Sequence, residues 1–159
     1  MDEEKLSKLT ELLKEIGEAD LLPPKMPFEV WREIVSLVPA PAVEVLVSHD
    51  NKDFLLTERN DKYWQGWHIP GGYLLGKEKI EDACNRLAKK ELGMEVNFEK
   101  VLFLHTWSNH PYANALSIIC LCRPVGETKE GKYFLEIPET TIDEHKDFLN
   151  KFLENGKKI

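Results

Sequence analysis

Trp67–Met94 reads WHIPGGYLLGKEKIEDACNRLAKKELGM. Pro70-Gly71-Gly72 ends a strand in a backbone-exposed turn, where carbonyls and amides can approach a ligand or cation. Residues 79–92 then follow the helical period. Ile80, Ala83, Leu87 and Ala88 form the apolar stripe, and Gly93 is a natural C-terminal stop. Glu78 lies at the helix start, where negative charge is favourable. Arg86 and Lys90 are four apart on one face, and Glu91 follows Leu87 at the same spacing. A glycine-rich loop, a helix and a carboxylate at the helix's far end can together hold a hard cation, which takes oxygen ligands and bridges to phosphate. Each part also has an ordinary reading: a PGG turn alone is a turn, and Glu and Lys on a helix commonly form a solvated face.

Upstream, Val43, Val45 and Val47 alternate with Glu44, Leu46 and Ser48, which predicts a strand from Ala42. His49–Lys52 is a polar turn, and Phe54–Arg59 is a second strand, so the pair reads as a hairpin. Residues 60–72 read as a loop rich in Trp, Gly and Pro. Leu6, Leu9, Leu13 and Ile16 place a helix over residues 2–18, capped by Asp2 and stopped by Pro23 and Pro24. A second helix is expected over Phe28–Leu37. Downstream come strands over about 96–108 and 114–123, a third at Tyr133–Ile137, and a last helix from near Thr140 or Ile142 carrying Phe148, Phe152 and Leu153. The order lacks an alternating βαβ series, which favours an α+β or layered mixed-sheet domain. Residues 1–24 read as a helical extension, and residues 25–159 as the main domain.

The 159 residues suit one domain. Lys and Arg number 21 against 28 Asp and Glu, a net charge of −7. That surplus of acid argues against a nucleic-acid polymer as partner, because phosphate contacts need a basic face. It equally disfavours an anionic membrane surface. It leaves room for nucleotides bound through a divalent cation. No apolar run approaches 18 residues, and MDEEKLSK lacks the basic start and apolar stretch of a signal peptide. Cys84, Cys120 and Cys122 form no framework, which fits a reducing compartment, and a cytoplasmic location is expected.

The 67–94 stretch resembles the Nudix box, the loop–helix–loop signature of Nudix hydrolases. Gly72, Glu78, Arg86, Ala88, Glu91, Gly93 and Met94 fall on its pattern in register, while Leu87 and Lys90 stand where the family has glutamates. The resemblance implies the Nudix fold, a mixed β-sheet sandwiched between helices, here with an extra N-terminal helix. Arg86-Leu87 and Glu91-Leu92-Gly93 are similar to the shortened ending of the GDP-mannose mannosyl hydrolases, the nucleotide-sugar branch of the superfamily. The likeness extends over roughly residues 28–148. Phe54–Arg59 matches the strand whose last arginine contacts the diphosphate, which implies substrate binding by Arg59. Glu44 falls where that branch has an aspartate near the sugar, and Tyr73 where it has an arginine. Asp143–Phe148 resembles the loop carrying a glutamine metal ligand and a catalytic histidine, so Glu144 takes the ligand's place and His145 the histidine's.

By this resemblance the chain is a hydrolase dependent on Mg²⁺, with Mn²⁺ as its substitute, acting on a nucleoside diphosphate sugar. The implied metal ligands are Gly71, Gly72, Glu91 and Glu144. His145 is the implied general base on water attacking the anomeric carbon, releasing sugar and nucleoside diphosphate. Arg86 is implied either to steady the leaving group or to serve structurally. Two other readings stand beside this one: phosphorus–oxygen cleavage of a nucleoside diphosphate derivative, and a non-catalytic module that binds a nucleotide sugar. A homodimer is expected by family analogy alone.

Overall fold

In the computed structural model, which describes residues 2–18, 26–107, 110 and 115–156, the strand β1 (Ala40–Val47) is buried at every residue but Pro41. Burial on both faces is the mark of a central strand. β1 pairs antiparallel with β4 (Gly71–Tyr73) and parallel with β6 (Ala115–Val125), which pairs antiparallel with the long β5 (Glu95–Thr106). This four-stranded sheet has the order β4-β1-β6-β5. A second sheet has the order β3-β2-β7, from Gln65–His68, Phe54–Asn60 and Lys132–Phe134.

Two expectations are corrected here. β1 and β2 do not form a hairpin, because both edges of β1 are taken by β4 and β6 and those of β2 by β3 and β7. The 60–72 segment is not all loop: it contains β3 and the start of β4, and it carries the chain from one sheet to the other through Ile69-Pro70.

The alternation read in β1 separates two cores. Val43, Val45 and Val47 join Cys120, Cys122 and the helix α3 (Ile80–Leu92), which contributes Ala83, Cys84, Leu87, Ala88 and Leu92. Leu46, Ile119 and Leu121 face the other way, against Phe54, Leu56, Ile69 and the helix α4 (Asp143–Gly156) with Phe148, Leu149 and Phe152. The main sheet is thus covered by a helix on each face, the expected α+β layering. α3 stops at Gly93, whose φ of 63° is the left-handed cap that glycine adopts without steric cost.

The helix α1 (Glu3–Glu18) forms as its apolar period predicts, with Asp2 Oδ1 accepting the Lys5 N–H at 2.9 Å. Its Leu6, Leu9, Leu12 and Leu13 remain 45–50% exposed. The helix α2 (Phe28–Leu37) buries Trp31 and Val35. The Pro23–Pro24 stop and the boundary at residue 24 lie outside the described residues.

Candidate active site

Glu44 on β1, the passage from His68 to Gly71, the C-terminal end of α3 and the first turn of α4 meet where the two sheets join. Backbone bonds fix the passage. Val45 N–H donates to Pro70 O at 2.7 Å, Trp67 N–H to Thr140 O at 3.1 Å, and Ile142 N–H to Trp67 O at 3.0 Å. The last two tie the segment before α4 to β3, which brings His145 beside Ile69.

Glu44 is 7% exposed. Its Oε1 accepts a bond from Ser117 Oγ at 2.8 Å, and Ser117 Oγ accepts one from Trp107 Nε1 at 2.8 Å. Its Oε2 lies against Gly71, where an added Cβ would stand 2.1 Å away from it. Glu91 Oε2 accepts the Gly71 N–H from 3.4 Å. Burial pushes the Glu44 carboxyl up to about 7 against the pull of Ser117, and the charge of Glu91 adds to the rise. Burial also raises Glu91, opposed by Lys90, the Gly71 N–H and Arg59.

Two hollows adjoin at Arg59, His68 and Gly71. The smaller recess, about 160 Å³, has walls from Glu44, Trp64, Tyr73, Trp107, His110 and His145. The larger cleft, about 830 Å³, is lined by Glu58, Lys90, Glu91 and Glu130. It lies within the roughly 300–1,000 Å³ of small-molecule sites. At the junction Arg59 Nε pairs with Asp61 Oδ2 at 2.5 Å. Asp61 Oδ1 accepts the N–H groups of Tyr63 and Trp64 at 2.8 and 2.9 Å, so the turn after β2 orients both the guanidinium and the Trp64 wall.

His145 is 7% exposed, and its Nδ1 accepts the Ile69 N–H at 3.1 Å. A neutral imidazole that accepts at Nδ1 carries its proton on Nε2. Burial, with His68 and Arg59, pushes its pKa down to about 3. The expected general-base role therefore does not follow from this arrangement, which offers a neutral Nε2–H donor. His68 is fixed in the opposite tautomer: Nδ1–H donates to Ile69 O at 2.9 Å, and Nε2 accepts the Thr57 hydroxyl at 3.0 Å. Its pKa is pushed down to about 4, chiefly by burial.

These shifts predict an acid limb in stability. Below the unfolded histidine pKa of about 6.5 the unfolded chain binds more protons at both histidines, so stability falls with pH down toward 4 and then 3. Glu44 acts oppositely: its contribution is complete below 4.5 and lost as pH rises through about 7. Between those values the one carboxyl cancels only part of the effect of the two histidines, so stability still falls as pH is lowered, and the steepest loss is expected below about pH 4.5. Melting temperature against pH checks this, and His145→Gln should shallow that limb.

The structure brings Glu44, Arg59, Gly71, Gly72, Tyr73, Glu91 and His145 into the two adjoining hollows. It does not bring Arg86 or Glu144 there. Arg86 donates to both Glu78 oxygens at 2.6 and 2.8 Å and to Tyr73 O at 3.0 Å, stapling the loop onto α3. Glu144 lines a different hollow with Gln65, Thr140 and Asp143. Ser117 and Asp61 were not singled out from sequence. A lone serine inside the apolar run 115–122 is the signal for Ser117, since a buried strand leaves a hydroxyl in need of a partner.

A family model described as NUDIX domain matches residues 38–150. A low-salt glycan biosynthesis protein of Haloferax volcanii is 32% identical over 86 residues, 54% of this chain and 55% of that protein. The chain thus spans about half the length of that relative. An ADP-ribose pyrophosphatase of Methanocaldococcus jannaschii is 26% identical over 120 residues, 69% of this chain and 71% of that protein. A solved NUDIX hydrolase from Nitrosomonas europaea shares the fold with a TM-score of 0.62 at 19% identity, over 74% of this chain and 71% of that one.

Proposed function

The chain belongs to the NUDIX domain family, and we propose that it is a cation-assisted hydrolase of a nucleoside diphosphate joined to a sugar, cutting within the diphosphate. The observation that carries this reading is the cleft in which Arg59, Lys90 and Glu91 stand together beside the aromatic recess. Arg59 and Lys90 offer fixed positive charge to phosphate oxygens. Trp64, Tyr73 and Trp107 give the recess aromatic walls. The relatives' names support the reading: one is an ADP-ribose pyrophosphatase, named for a diphosphate joined to a sugar, and the other is named for glycan biosynthesis.

The donors fit a hard divalent cation. Glu91 is a half-buried carboxylate that accepts one long N–H bond, from Gly71. Among the described residues no group of three or more His, Cys, Asp or Glu forms a closed metal cage. An open site of this kind suits Mg²⁺ or Mn²⁺, which takes its remaining oxygens from water and substrate phosphate. Glu91 and the Gly71-Gly72 turn would hold the cation, which when bound would draw charge from the diphosphate oxygens. Arg59 binds and orients the diphosphate. His145 Nε2–H donates to an oxygen that gains charge as the bond breaks. Glu58 and Glu130, exposed on the cleft, are acceptors for the proton of the attacking water.

Attack at phosphorus is favoured over attack at the anomeric carbon by the His145–Ile69 bond, which leaves that ring without a free lone pair toward the recess. The function is tested with a panel of nucleoside diphosphate sugars, including ADP-ribose, in Mg²⁺ or Mn²⁺, with products identified by mass spectrometry. Nucleoside monophosphate and sugar phosphate are expected from at least one. Hydrolysis of none would contradict the reading.

A further inference from the structure

We infer that Glu44 of β1, and not Glu144, is the second carboxylate of the cation site, with Ser117 and Trp107 as the residues that position it. The assignment rests on the reading of the cleft as a cation-assisted diphosphate site. Leu87 and Lys90 have removed two glutamates from the face of α3 that the family uses, so Glu91 alone remains there. A single half-buried carboxylate is a poor site for a divalent ion, and the structure supplies another from the strand β1. Glu44 faces Gly71 in the β1–β4 register, and Gly71 is the residue whose N–H reaches Glu91. The Oε2 atoms of Glu44 and Glu91 therefore both stand against one glycine. A Cβ there would displace the Glu44 carboxylate and stand 3.0 Å from the Val43 carbonyl oxygen, so the glycine leaves room for the carboxylate in this position.

Glu44 is also held as a ligand is held. Ser117 donates to Oε1 and is itself oriented by the Trp107 indole N–H, while no donor among the described residues reaches Oε2. A carboxylate with one oxygen anchored and the other bare, more than nine-tenths buried at the edge of a polar recess, is arranged to meet a cation. Glu144 has no such support and lies in another hollow. The sugar-facing role expected for position 44 is replaced here by a role toward the metal.

Mn²⁺ alone is the probe, titrated into the full-length protein with the free ion followed by electron paramagnetic resonance. Glu44→Gln keeps the side chain's shape and its acceptor for Ser117. It is expected to weaken Mn²⁺ binding about a hundredfold, Ser117→Ala about tenfold, and Glu144→Gln less than about twofold. Melting temperature without metal reports whether each variant folds. If Glu44→Gln does not fold, Ser117→Ala decides: unchanged Mn²⁺ affinity overturns the assignment. Weakening by Glu144→Gln with Glu44→Gln unaffected overturns the assignment and leaves the cation-assisted reading intact. Failure of the unaltered protein to bind millimolar Mn²⁺ overturns both.

Discussion

Glu91→Gln is expected to lower kcat/KM by about a thousandfold, the equivalent of about 4 kcal/mol of transition-state stabilisation. The substitution removes a charge and almost nothing else. A glutamine oxygen can still accept the Gly71 N–H that Glu91 accepts at 3.4 Å, so the turn keeps its anchor. Burial disfavours the ionised carboxylate, as its raised pKa records, so the neutral amide costs less to hold in place. Stability without metal should therefore be unchanged or slightly raised. Millimolar Mg²⁺ is expected to raise the melting temperature of the unaltered protein, because an ion that binds only the folded state stabilises by mass action, and in the variant that gain should vanish. Loss of turnover with an unchanged metal-dependent shift would place the cation elsewhere.

The second large effect separates two roles of one ring. His145→Gln is expected to keep activity within about tenfold of the unaltered protein, and His145→Asn to lose about a hundredfold. A glutamine amide extends to the position of the imidazole Nε2 and keeps a donor toward the recess. An asparagine carbonyl matches Nδ1 and satisfies the Ile69 N–H, but leaves the recess without its donor. The order of stability should be the reverse, since the glutamine strands a buried backbone N–H. Had the ring served as a base, both amides would be equally inactive, as neither accepts a proton near neutrality. Steady-state kinetics and thermal melts on the two variants are sufficient. The ring packs against His68, Trp107 and Phe148 at 5.8, 6.0 and 5.4 Å, so alanine would confound these roles with a cavity.

The segment that identifies the fold was legible because its information is local. The apolar stripe of α3, its glycine stop and the placement of Glu91 depend on spacing within 28 residues of Trp67–Met94. The β1 alternation likewise reported two cores, because successive side chains of a strand must face opposite ways. Pairing was less legible. The turn at His49–Lys52 suggested a hairpin, yet β1 has two better partners far away in sequence, and no local feature announces them. The same limit governs the site. Ser117 is 73 residues from Glu44, and His145 is 76 residues from the Ile69 N–H that sets its tautomer. A histidine in a matching motif reads as a base until the partner of its other nitrogen is known. The resemblance leaves Arg86 open between two roles, and its three bonds to Glu78 and Tyr73, which hold the loop on α3, are visible only in the folded chain.

The charge of −7 supplied little of this. In the proposed reading ligand recognition rests on a few groups, Arg59 and Lys90 against Glu44 and Glu91, whose arrangement the net charge does not reflect.

Hydrolysis of a nucleoside diphosphate sugar in ¹⁸O-water, with the label located by mass spectrometry, tests the central claim most directly. Nucleoside monophosphate and sugar phosphate, with one ¹⁸O on a phosphate, are predicted. Free sugar carrying the label, released with unlabelled nucleoside diphosphate, would contradict it.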